Sequence, residues 1–285
     1  MPNPAADIFR QAAELNRCDA RREGNVVRLA GGCDVLVAGD IHGHRDALAR
    51  IIGYAALDAA AHRRLVLQEI LHGPPQQPSG QDRSVELLLR AARLKLAQPQ
   101  QVLFVLGNHD VAQLAGSEIS KAGRGACKAF QAGVAYAFGQ SSDEVMAAIR
   151  EFLASLPLAV RCPAGTFITH SLPSPARMIQ VGTDVLRRPY RNDDLRRGGA
   201  VYDWTWGRGH TDEQLDALAE LLGVQFFVLG HRHLEAGFQI TARRAVTITS
   251  DHDRGCIAQF SCDQPLDAET IPACIKPLAA LARRG

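Results

Sequence analysis

This chain is short of several things, and each shortage closes off a class of function. Net charge is only +2 over 285 residues, so at whole-chain level there is no electrostatic case for a nucleic-acid partner. The seven cysteines are odd in number and include no C-x-x-C pair, which argues against a disulfide framework. Cys33, Cys162 and Cys256 stand in apolar surroundings and read as buried thiols. No uninterrupted apolar run approaches the roughly eighteen residues a membrane span needs. The N-terminal stretch, with Asp7, Arg10 and Glu14 spaced through it, lacks the apolar core of a signal peptide. A cytoplasmic protein with no membrane partner is expected. Internal repeats and domain-scale linkers are missing as well. With 46% hydrophobic and 22% charged residues, the chain is expected to form one globular domain over 1–285.

What is present is an alternation of apolar runs and helical spacing. The pattern predicts helices over 5–17, 45–57, 85–96 and 212–222, and strands at 25–29, 35–40, 63–67, 101–106, 158–161, 166–169 and 225–229. An alanine-rich helical region over 111–156 is broken near Gly116, Gly123–Gly125 and Gly139. Residues 73–80 and most of 171–200 read as irregular, and three short strands follow at 237–241, 245–249 and 256–261. Alternation followed by a run of strands implies one layered α/β domain with a mixed or two-sheet core.

The chemistry concentrates where strands end. The apolar run Val35–Ala38 leads into Gly39-Asp40-Ile41-His42-Gly43-His44. Side chains at i and i+2 of an extended segment share a side, so Asp40 and His42 are placed to converge; the alternative is that Asp40 caps the helix that follows. Four further strands end in a residue able to bind a metal: Glu69, Asn108, His170, and the pair His231/His233. Carboxylate, amide and imidazole donors without thiolate suit Mn²⁺, Fe or Zn²⁺. With one carboxylate bridging, these seven side chains would fill two adjacent metal sites, which about 3.5–4 Å apart polarise a phosphoryl group.

The order GDIHGH, GNHD, a strand ending in His170, then GHRH resembles the calcineurin-like metallophosphoesterase superfamily over residues 30–262, most closely its phosphoprotein (serine/threonine) phosphatase branch. The resemblance implies an α/β fold in four layers, a two-sheet β-sandwich core flanked by helices. It implies one metal on Asp40, His42, Glu69 and His233, and another on Glu69, Asn108, His170 and His231. His109 would be the general acid, Asn108 would also touch substrate, and Arg208 falls where the branch carries a phosphate-gripping arginine.

The second family block departs from its pattern. The bridging aspartate is replaced by Glu69, one methylene longer, while His72 and Gly73 stand where an aspartate and an arginine are usual. Asp82-Arg83, beyond an inserted loop, is a candidate replacement, with Arg83 as a phosphate ligand; otherwise Asp82 or Ser84 simply caps the next helix. Arginines 187, 188, 191, 196 and 197 read as a solvated loop or a basic rim. The expected activity is hydrolysis of phosphomonoesters on two transition-metal ions by metal-bound hydroxide, on a phosphorylated partner such as phosphoserine or phosphothreonine in proteins. The alternatives are a nucleotide or dinucleoside polyphosphate hydrolase, with Tyr202, Trp204 and Trp206 stacking a base, and a weakly catalytic phosphate-sensing protein.

Overall fold

A computed structural model describes residues 3–281 apart from 77, 78 and 122. Three parallel strands are laid down by two βαβ units: Asp34–Asp40, Arg63–Gln68 and Val102–Val105, with helices Arg45–Ala55 and Ser84–Ala97 between them. Because a βαβ crossover returns the chain to the same edge, the carboxyl ends of all three strands share that edge. The antiparallel strands Cys256–Ser261 and Ile275–Pro277 complete this five-stranded sheet. Beyond residue 262, Ile275–Pro277 is therefore an edge strand of this sheet.

The second sheet has seven strands and is centred on Thr166–Thr169, Phe226–Leu229 and Ala245–Ile248, which run parallel to one another. Side-chain alternation decides how the sheets meet. Val35, Val37, Val66, Leu103 and Val105 face Val160, Ile168, Phe226, Val228 and Ile248 in one buried cluster between the sheets. The intervening Leu36, Ala38, Leu65, Leu67 and Phe104 face the helices. Phe167 and Phe227 do likewise on the second sheet, in the same cluster as Leu215 and Leu218 of the Asp212–Leu222 helix. The result is helix, sheet, sheet, helix: the expected four layers. Strands buried on both faces read as continuous apolar runs, which is why they were legible.

Asp40 also bridges to Thr249 of the second sheet. The approach requires Gly39, where a Cβ would stand 2.0 Å from the Ile248 carbonyl oxygen. The two sheets thus come together at the edge where the polar strand ends lie.

One stretch differs from expectation. The 73–80 loop opens and closes with a short hairpin, Pro75–Gln76 against Gln81–Asp82. Residues 200–206 are helical, so Tyr202 and Trp206 are one turn apart and stack (5.2 Å, 15°), while Trp204 points into the core.

Candidate metal centre

Glycines at two strand ends let the donors crowd together. A Cβ on Gly107 would lie 2.2 Å from Glu69 Cγ, and one on Gly230 would lie 2.6 Å from Asp40 Oδ1. Among the described residues, six non-glycine residues have positive φ, and four belong to this edge: His42 (43°), Glu69 (35°), His72 (63°) and His231 (73°). Left-handed backbone on such residues is strained and is held only where surrounding structure enforces it.

Glu69 lies between the two halves of the cluster. Its Oε2 is 3.4 Å from His42 Nε2 and its Oε1 3.6 Å from His170 Nε2. Asp40 flanks the same pair, with Oδ2 3.8 Å from His42 Nε2 and Oδ1 3.6 Å from His170 Nδ1. Asp40 Oδ1 also accepts the His231 backbone N–H at 3.0 Å. Asn108 Oδ1 meets His170 Nε2 at 2.9 Å and His231 Nδ1 at 2.8 Å. All six of these residues are buried. Asp40 does not cap the following helix: His44 does, its Nδ1 accepting the Ala47 N–H at 3.0 Å.

Two ring orientations are set from outside the cluster. His42 donates Nδ1–H to the Leu71 carbonyl at 3.0 Å, which turns its Nε2 lone pair inward. Gln68, its amide fixed by donation to the Ala38 carbonyl (3.1 Å), accepts from His170 Nδ1 at 3.3 Å. Burial, then the neighbouring His231, His42 and Arg208, hold His170 well below the usual imidazole range, so it is neutral and carries a single N–H. That hydrogen serves Gln68, and the Nε2 lone pair is left facing the oxygens of Asn108 and Glu69. Lone pairs converging on one point are what a cation stabilises, and hard oxygens with imidazole nitrogens form a donor set for two transition-metal ions. The residues fit.

The remaining candidates are spread around this centre. His109 N–H donates to Glu69 Oε1, and its ring stands 4.6 Å from that of His42. Arg208 reaches the centre and donates from Nε to His231 Nε2 at 2.9 Å. Burial, then Arg208, bring His231 down to about 3. His233 is turned to the rim, 62% exposed, with Nδ1 3.1 Å from Asp251 Oδ1. Arg83 is not brought in: its guanidinium is paired with Glu86 and lies 6.0 Å from the Tyr136 ring centre. Its neighbour Asp82 turns onto the start of the Ser84–Ala97 helix and accepts the Ser84 N–H at 2.9 Å, from one residue ahead of the Arg83 cap position. Asp110 likewise caps its own helix through the Gly107 N–H, and burial pushes it up to about 7. In the arginine-rich loop, Arg188 is tied to Asp184 and Asp194. A cleft of about 640 Å³ opens beside the centre, lined in part by His42, His72, Asp82 and Asp251.

Comparison with known proteins agrees with this geometry. The family model for calcineurin-like phosphoesterases matches residues 34–235, well over half of the chain. The chain is a calcineurin-like phosphoesterase. The family works with a dinuclear metal centre, and this member is a metal-dependent phosphatase. Solved structures of the same fold include a Saccharomyces cerevisiae protein serine/threonine phosphatase with similarity to human phosphatase PP5. It is 15% identical with a TM-score of 0.66, over 90% of this chain and 81% of that one. A cold-active protein-tyrosine phosphatase of a psychrophilic Shewanella is 14% identical with a TM-score of 0.56, over 93% and 84%. No similar sequence was found among curated proteins.

Sequence reading of this phosphoesterase missed Gln68, Gln113 and Asp251. Each acts through a histidine distant in the chain or one helical turn away. Only Gln68 carried a local signal, an amide ending the apolar run 65–67.

Proposed function

We propose that this phosphoesterase hydrolyses phosphomonoesters, with phosphoserine and phosphothreonine of proteins as its substrate class, on two Mn²⁺, Fe or Zn²⁺ ions. The observation that carries the reading is the convergence of Asp40, His42, Glu69, Asn108, His170 and His231, with His109 and Arg208 at its margin. Two fold neighbours named as protein phosphatases, one for serine/threonine and one for tyrosine, support a protein substrate.

Asp40, His42 and Glu69 would hold one ion, and Glu69, Asn108, His170 and His231 the other. Asp251 would accept the Nδ1–H of His233, which leaves the Nε2 lone pair as a further ligand at the rim. When bound, the ions supply Lewis acidity toward the phosphoryl oxygens and an activated water. For His231 to offer its Nδ1 lone pair the proton must sit on Nε2. Arg208 then turns from that nitrogen to the phosphoryl oxygens, which its planar fork suits. Asn108 adds an amide beside them, and His109 gives a proton to the departing oxygen. Tyr202 and Trp206 cover one face of each other, which weakens the case for a stacked base.

The test is hydrolysis of p-nitrophenyl phosphate and of a phosphoserine peptide with each metal supplied in turn. His170→Ala should lose more than ~100-fold together with bound metal. Wild type inactive with Mn²⁺, Fe and Zn²⁺ alike would leave only a phosphate-binding protein. Faster turnover of nucleoside polyphosphates than of the peptide would replace the substrate class.

A further inference from the structure

His109 and Gln113 are four positions apart on the Asn108–Ala115 helix, so the two lie on one face, a turn apart. The ring of His72 spans them. His72 Nδ1 is 2.9 Å from His109 Nδ1, and His72 Nε2 is 3.1 Å from Gln113 Oε1. Gln113 is fully buried and His72 is 1% exposed. The His72 ring also packs edge-on against Phe130, at 5.7 Å and 69°. Its backbone is left-handed, at φ 63°. A polar pair this dry and this strained is held in one arrangement by its hydrogen bonds and packing.

The direction of the hydrogens follows from the chemistry of each group. An amide oxygen only accepts, so His72 Nε2 carries the hydrogen of the Gln113 contact. With Gln113 presenting Oε1 and His72 in its neutral form, which has one N–H, His72 Nδ1 is a lone pair. The hydrogen of the contact between the rings must therefore belong to His109 Nδ1. Gln113 thus fixes the tautomer of His72, and His72 fixes the ring of His109 with Nδ1–H donated backward and Nε2 outward.

We propose that Gln113 and His72 are positioning residues that set His109 Nε2 as the proton donor to the leaving group, an uncharged hydrogen-bonded chain in place of a carboxylate. The inference rests on His109 being that donor. As the bond from phosphorus to the ester oxygen breaks, its electron pair stays on that oxygen, and the His109 Nε2 proton moves to it. The bond from phosphorus to the attacking water's oxygen forms, and that water releases its proton to solvent, which balances the proton His109 later regains. His109 enters the step with hydrogens on both ring nitrogens, keeps Nδ1–H on His72 throughout, leaves the step neutral, and regains the Nε2 hydrogen from solvent.

Leaving-group dependence tests this, because p-nitrophenolate departs without help whereas a serine alkoxide needs the proton. His72→Phe keeps ring volume and the Phe130 contact while deleting both hydrogen bonds. It should lower kcat on a phosphoserine peptide by roughly 10- to 100-fold, leave p-nitrophenyl phosphate within about threefold by the same reasoning, and keep KM and bound metal unchanged. Gln113→Leu should show the same selectivity, more weakly, and Gln113→Glu, which keeps the acceptor, should restore the peptide rate. Should His72→Phe not fold, the two Gln113 variants carry the test. Equal losses on both substrates, or loss of metal, would make His72 a packing residue and overturn the proposal. If His109→Ala itself shows no selectivity for the peptide, it is the donor reading of His109 that fails.

Discussion

The two ends of the sandwich are made from the same strands and are built on opposite principles. The Asp34–Asp40 strand starts beside Cys33 and finishes at Asp40. At its start, Cys33 Sγ lies 3.1 Å from Cys262 Sγ, both buried, with Cys162 buried as well. Burial, then the contact with Cys262, push the Cys33 thiol up to about 12, and burial raises Cys162 too, so this end stays protonated and unreactive. At its finish, Asp40, Glu69 and Asp110 are buried among histidines on left-handed backbone. One end neutralises itself by packing. The other gathers carboxylates and strain that a bound cation would relieve, the pattern of a site whose stability is given up for function.

The largest expected effect is at the polar end. Glu69→Gln keeps shape and removes one buried negative charge. It should cut kcat/KM by more than ~100-fold while leaving the melting temperature of metal-free protein equal or higher. Calorimetry with chelator and kinetics with Mn²⁺ measure both, and a lower metal-free melting temperature would break the comparison. Position along that edge gives the next effect. Arg208→Ala should raise KM about tenfold through loss of charge-assisted bonds to phosphate, whereas Arg83→Ala, already paired with Glu86, should stay within about twofold. Steady-state kinetics on the phosphoserine peptide separate them.

The apolar end should show the converse. Cys162→Ser buries a hydroxyl in apolar surroundings and should cost about 1–2 kcal/mol in urea unfolding with kcat/KM unchanged. The smallest effect is one of pH. The Cys33 thiol is raised in the folded state, so between about 9 and about 12 the native protein holds a proton the unfolded chain has released. Its stabilising contribution is complete below that window and is lost as pH rises through it. The stability difference between wild type and Cys33→Ala should therefore shrink from pH 9 to 12, and a difference that widened would reverse the sign.

Legibility followed the range of the interactions. Strand ends were readable because an apolar run and a polar residue are neighbours in the chain, with a glycine between them before Asp40, Asn108 and His231 and none before Glu69 and His170. Arg83 looked like a replacement phosphate ligand because it follows the inserted loop, yet Glu86, three residues on, reaches it first. The dependence of His170 on Gln68 spans 102 residues, and no local pattern encodes a pairing at that distance.

By itself the sequence determined the period of each element, the run of doubly buried strands and the donor types at their ends, since these are local consequences of side-chain chemistry. Tertiary structure alone decided which nitrogen of each histidine faces inward, that His233 is turned to Asp251, and that His72 links His109 to Gln113. Those outcomes depend on hydrogen bonds between segments that meet only after the two sheets have packed.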